Sequence, residues 1–115
     1  MSTLETSYQE RREDDRVEVS EVIRVIDRQT GTVLGRLVNI SEEGFLLQGP
    51  QPINEDNILQ LSLEFDPEVS DADPILVGAE SLWCRSSNDQ AQYWTGFFII
   101  DISEKDHERV RHLTG

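Results

Sequence analysis

The most regular stretch of the chain is Ile58 to Phe65, where Leu59, Leu61, Leu63 and Phe65 alternate with Gln60, Ser62 and Glu64. Successive side chains of an extended segment point to opposite faces, so this alternation predicts a strand with one buried face. Upstream, Val22, Ile23, Val25 and Ile26 are β-branched, Gln29-Thr30-Gly31 supplies turn chemistry, and Thr32 to Ile40 resumes with Val33, Leu34, Leu37, Val38 and Ile40. That arrangement predicts a β-hairpin. Asn39 to Gly44 breaks the pattern with a turn, Phe45-Leu46-Leu47 begins another short strand, and Gly49-Pro50 with Pro52 ends it. Asp66 to Pro74 holds two prolines and four acids and reads as a solvated loop. Ile75 to Arg85 restarts the two-residue period through Val77, Ala79 and Trp83, Ser86-Ser87-Asn88-Asp89 reverses the chain, and Tyr93 to Ile100 is aromatic and β-branched.

The pattern changes after Asp101. Ser103 is placed to cap a helix, Glu104 and Asp106 fall in its first turn, and Arg109, Arg111 and His112 fall toward its end, where positive charge complements the helix dipole. Five to seven short strands with tight turns and one terminal helix predict an antiparallel barrel, because closing the sheet removes the edges a lone sheet would expose. Residues 1 to about 16 carry only Met1, Leu4 and Tyr8 as sizeable apolar groups, too few to offset the entropy of ordering the backbone. They are expected to form a mobile arm.

A chain of 115 residues accommodates one modest core, which excludes a two-domain enzyme. No apolar run reaches the roughly 18 residues of a membrane span, the N-terminus lacks the apolar core of a secretory signal, and the single Cys84 cannot form an internal disulfide. The expected setting is cytoplasmic. Ten basic residues against 23 acidic ones give a net charge of −13, so DNA, RNA and anionic membranes would be repelled by the molecule as a whole. Between Arg36 and Arg85 there are ten acids and no Lys or Arg. The basic residues gather instead at Arg11, Arg12 and Arg16, at Arg24, Arg28 and Arg36, and in the last eleven positions. Nine of the ten are Arg, which favours forked, planar recognition, so a small anion can be held locally where a large one is repelled.

A hydrolytic enzyme is disfavoured, and paired carboxylates are too common in this chain to discriminate. His107 and His112 both fall in the expected helix and, with Cys84, lack the spacing of a zinc site or a nucleophile-base pair; as solvated helix surface they need no further role. Gly31 and Gly35 lack the third glycine and the following helix of a dinucleotide fingerprint. The expectation is a protein that is not an enzyme and that carries neither metal nor cofactor.

Two features remain. Arg12-Glu13-Asp14-Asp15-Arg16 is an RxxxR preceded by Arg11, and Asn39-Ile40-Ser41-Glu42-Glu43-Gly44 fits [D/N]xSxxG, with the predicted hairpin between them. Their order and spacing resemble a PilZ domain, the bacterial receptor module for the second messenger cyclic di-GMP, and Trp83 and Gly96-Phe97-Phe98 resemble that family's closing strands. The resemblance covers about residues 10 to 113. It implies an all-β fold, a six-stranded antiparallel barrel with a C-terminal helix and a flexible N-terminal arm, divided as a tail over 1–9 and a PilZ domain over 10–115.

The resemblance also implies a cyclic di-GMP site made by Arg11, Arg12, Arg16, Asn39, Ser41 and Gly44, with Trp83 and Arg85 as candidates to join it. Arginine suits such a ligand because its fork matches both the O6/N7 edge of guanine and a pair of phosphate oxygens. Asn39 and Ser41 would face guanine or phosphate from a turn, and Gly44 would allow a positive φ or a close backbone approach. Each has a plainer alternative. The arginines sit among Glu10, Glu13, Asp14 and Asp15 and would serve as a solvated mixed-charge arm; Asn39 and Ser41 would simply make an Asx or Ser turn, with Gly44 as a bulge; Trp83 would pack at the core or barrel rim. The implied function is a receptor or adaptor, monomeric or homodimeric, that passes a motility or biofilm signal to an unidentified protein effector. The rival is an interaction scaffold of the same fold, in motility or pilus assembly, without useful nucleotide affinity.

Overall fold

The computed structural model describes residues 17–87 and 91–114. Among these residues seven strands and one helix follow in order: β1 (Val17–Glu18), β2 (Ile23–Asp27), β3 (Val33–Ile40), β4 (Gly44–Gly49), β5 (Ile58–Phe65), β6 (Ile75–Ser86), β7 (Tyr93–Ile102) and α1 (Glu104–Thr114). All pairings are antiparallel. Six strands run β3-β2-β5-β6-β7-β4, and β4 pairs back onto β3, which closes a six-stranded barrel. The two residues of β1 lie against the end of β3 that β2 leaves free, with Val17 opposite Ile40 and Glu18 opposite Asn39.

The alternation in the sequence becomes the wall of this barrel. Ile23, Val25, Leu37, Ile40, Phe45, Leu47, Leu61, Leu63, Ile75, Val77, Ala79, Phe97 and Ile99 point inward and form one core. Each fully buried side chain of this size contributes about 1.5–3 kcal/mol. Phe45 of β4 and Phe97 of β7 stack at its centre, with ring centroids 5.0 Å apart. The β2–β3 turn is held by Asp27, whose carbonyl accepts from Gly31 N–H at 2.7 Å and whose Oδ1 accepts from Gln29 N–H at 2.8 Å.

The helix begins as its sequence dictates. Ser103 Oγ accepts from Asp106 N–H at 3.1 Å, and its carbonyl takes the first helical bond from His107 N–H. Val110 is buried in the barrel core, which fixes α1 to it. Asp106 adds a polar tie, accepting from Leu76 N–H at 3.0 Å and from Arg109 at 3.1 Å. Arg109 in turn donates to the carbonyls of Asp73 and Pro74 and so anchors the acidic β5–β6 loop.

A bulge in β6 decides which way its second half faces. Ser81 is buried; its Oγ donates to Asn54 O and accepts from Asn57 N–H, tying β6 to the β4–β5 loop. The register against β7 then shifts between Ser81 and Trp83. Below the bulge Cys84 points inward, beside Thr95, and Trp83 pairs with Gly96 on the outside. Among the described residues no helix is long and apolar enough to cross a membrane, and no three His, Cys, Asp or Glu side chains are grouped to hold a metal ion.

Candidate functional site

The β3–β4 turn is the Asn39–Gly44 segment. Ser41 is buried in it. Its backbone N–H donates to Gly44 O at 2.8 Å, and its Oγ accepts from Glu43 N–H and Gly44 N–H, both at 3.2 Å, while donating to Gly44 O at 3.3 Å. One donor and two acceptor positions exhaust a hydroxyl, so Ser41 builds the turn and presents its backbone, not a free Oγ. Gly44 has no positive φ; its need is space, since a Cβ there would collide with the carbonyl of Phe97 on β7. The close approach expected of this glycine is therefore an approach of the chain to itself.

Asn39 faces outward, because Ile40 beside it is in the core. Asn39 pairs with Leu46, Leu46 with Gly96, and Gly96 with Trp83. These four residues form one cross-strand row on the outer face of β3, β4, β7 and β6, spanning roughly 14 Å at about 4.8 Å per strand. Gly44 stands on the same face, two residues from Leu46 and opposite Phe98. The Trp83 indole lies over Gly96, where a Cβ would come within 2.5 Å of Nε1, and the Arg85 guanidinium lies 5.2 Å from the Trp83 ring centroid. The structure thus brings Asn39, Gly44, Trp83 and Arg85 to one surface. Arg11, Arg12 and Arg16 lie outside the described residues, as does the expected boundary after residue 9.

One connection at this site is invisible in the sequence. Glu42, the residue after Ser41 in the turn, pairs with His107 at 3.2 Å and with Arg111 at 3.4 Å, both on α1, and Arg111 also meets Glu108. The helix thereby draws the Glu42 carboxylate toward itself. His107, expected to be solvated helix surface, is half-exposed and takes part in this link. Glu42 and Arg111 are 69 positions apart, and only closure of the barrel makes them neighbours.

Comparison with known proteins places this arrangement. The chain matches the model of the PilZ domain over residues 10–115. No match was found among curated proteins. Among solved structures it is similar to the Bacillus subtilis inhibitor of motility, MotI/DgrA, with a TM-score of 0.65 and 12% identity over 86% of this chain and 46% of that one. It therefore spans about half the length of that protein. It is also similar to the PilZ domain of YcgR from Escherichia coli, whose structure contains c-di-GMP, with a TM-score of 0.64 and 10% identity over 86% and 85% of the two chains. A third match is the PilZ domain of CeSA from a cellulose-synthesizing bacterium, with a TM-score of 0.57 and 13% identity over 86% and 93%. With the family model spanning nearly the whole chain and the barrel shared with these structures, the chain belongs to the PilZ domain family, whose members are typically non-catalytic receptor domains and commonly bind cyclic di-GMP.

Proposed function

We propose that this protein is a non-enzymatic cyclic di-GMP receptor that passes the signal to a protein partner. The observation that carries the reading is the outer-face row from Asn39 to Trp83, with Gly44 beside it and Val17, the residue after Arg16, paired opposite Ile40 at its edge. Arg16 directly precedes Val17 in the sequence, and Arg12 lies four residues before Arg16. In this reading Asn39 supplies polar contacts, Leu46 the floor, and Trp83, seated on Gly96, with Arg85 a base-stacking and guanidinium pair. Arg11, Arg12 and Arg16 supply the counter-charge for the two phosphates, and Ser41 and Gly44 hold the turn in shape. The domain is residues 10–115, the setting cytoplasmic, the partner a protein and not a nucleic-acid polymer or a membrane, and the assembly a monomer or homodimer.

A second reading, the interaction scaffold without useful nucleotide affinity, is favoured by one observation: the turn carries Glu42 and Glu43, and the hydroxyl of Ser41 is consumed within it. Calorimetric titration of the purified protein with cyclic di-GMP separates the two. The receptor reading expects saturable binding that Arg12→Ala or Arg16→Ala weakens by about tenfold or more, the usual size for a hydrogen bond to a charged group, with thermal stability unchanged. Absence of binding by the intact protein would leave the scaffold.

A further inference from the structure

About 7 Å away, two residues further along β4, β6 and β7 and three along β3 across its bulge, a second row crosses the outer face and continues onto β2. Arg24 on β2, Arg36 on β3, Gln48 on β4, Trp94 on β7 and Arg85 on β6 are successive cross-strand partners, and their neighbours Ile23, Val25, Leu37, Leu47 and Thr95 are buried. The first two are exposed arginines directly opposite each other. Like charges so placed destabilise a strand pair. A chain with 23 acids has ample means to neutralise them, yet the ion pairs among the described residues run through Glu42, Asp106 and Glu108 and include neither Arg24, Arg36 nor Arg85. Glu64, the register neighbour of Arg24 on β5, accepts instead from Ser62 Oγ at 3.2 Å. Arg36 donates to Gln48 Oε1 at 3.1 Å, one of five N–H groups that a guanidinium carries. With Glu64 at its β5 end, the row still carries three arginines to one acid on a molecule of net charge −13, with an indole set between its arginines.

We propose that Arg24, Arg36 and Trp94 extend the nucleotide site, the two guanidinium groups receiving a phosphate of cyclic di-GMP and the Trp94 ring the face of a base. The extension rests on the receptor reading and adds three residues to it. Guanidinium forks pair with phosphate oxygens, and a base stacks on an indole whatever its sequence context. The unfavourable Arg24–Arg36 juxtaposition is then relieved when the phosphate binds.

The test is calorimetric titration with cyclic di-GMP, together with thermal melts of the nucleotide-free protein, for the intact chain and for Arg24→Gln, Arg36→Gln and Trp94→Leu. The expected result for each arginine variant is an affinity about five- to tenfold weaker, with a melting temperature equal to or above that of the intact protein, since removing one of two opposed charges relieves repulsion. Trp94→Leu should weaken binding by a similar factor. If the intact protein binds and all three variants bind as tightly, the extension is wrong while the receptor reading stands. If affinity and free-protein stability fall together, the row is structural and the extension is again wrong. If the intact protein does not bind, the receptor reading fails and takes the extension with it.

Discussion

Trp83 and Gly96 face each other across β6 and β7, the indole occupying the space a side chain at residue 96 would need. The pair exists because the bulge between Ser81 and Trp83 turns the tryptophan to the outside while Phe97 keeps the next position of β7 in the core. Gly96→Ala should therefore displace the ring, costing about 1–3 kcal/mol as an overpacked contact. In a Trp94→Phe background, where Trp83 is the remaining tryptophan, its emission should move to longer wavelength. An unshifted spectrum with unchanged stability would mean the indole does not lie on Gly96.

Gly44 and Ser41 separate shape from ligand contact. A Cβ at residue 44 meets backbone, the carbonyl of Phe97, which cannot turn aside as a side chain can. Gly44→Ala should open the β4–β7 pairing and cost more than about 2 kcal/mol in chemical denaturation, before any nucleotide is added. Ser41→Ala leaves two turn N–H groups without their acceptor, at about 1–3 kcal/mol. If either variant lost nucleotide affinity with its stability intact, that residue would instead contact the ligand directly.

Much of this fold is legible in the sequence because its strands are short, half-buried and punctuated. Ile58 to Phe65 reads as β5 from alternation alone, Gln29 to Gly31 as a hairpin turn, and Ser103 as a helix cap, each a local matter of period, turn chemistry or capping. The candidate turn from Asn39 to Gly44 is equally local. What stays hidden is long-range register. Nothing in the order of residues says that Ser81 will be buried and bulged so that Trp83 lands on Gly96, or that β3 and β4 will close the barrel and deliver Glu42 to α1. Arg24 and Arg36 are visible as a basic cluster, but their direct opposition follows from the β2–β3 pairing.

The Glu42–Arg111 link should behave as a surface ion pair. Both side chains are about half-exposed. A double-mutant cycle with Glu42→Gln and Arg111→Met should give a coupling to stability of no more than about 1 kcal/mol, decreasing as salt is added. Toward nucleotide binding the cycle asks a different question. Arg111→Met should weaken cyclic di-GMP binding about threefold at low salt by releasing the Glu42 charge toward the turn, and should have no effect once Glu42 is Gln. An equal loss in both backgrounds would mean that Arg111 acts on the nucleotide directly.

Glu13, Asp14 and Asp15 place three negative charges between Arg12 and Arg16, the arginines proposed to meet two phosphates. At a separation near 7 Å in a water-like dielectric each acid-phosphate pair costs about 0.6 kcal/mol, and more where water is partly excluded. The three together should therefore oppose binding at low ionic strength and matter less as salt screens them. Replacing all three by Gln, Asn and Asn, respectively, should tighten cyclic di-GMP binding severalfold at low salt, with the gain shrinking as salt is raised. The competing arrangement has one of these carboxylates holding Arg12 or Arg16 in its binding rotamer, and it inverts the sign: neutralisation would weaken binding at every salt concentration. Titrating the triple variant at two ionic strengths decides between them, and a loss independent of salt would replace repulsion with positioning while leaving the arginines in the site.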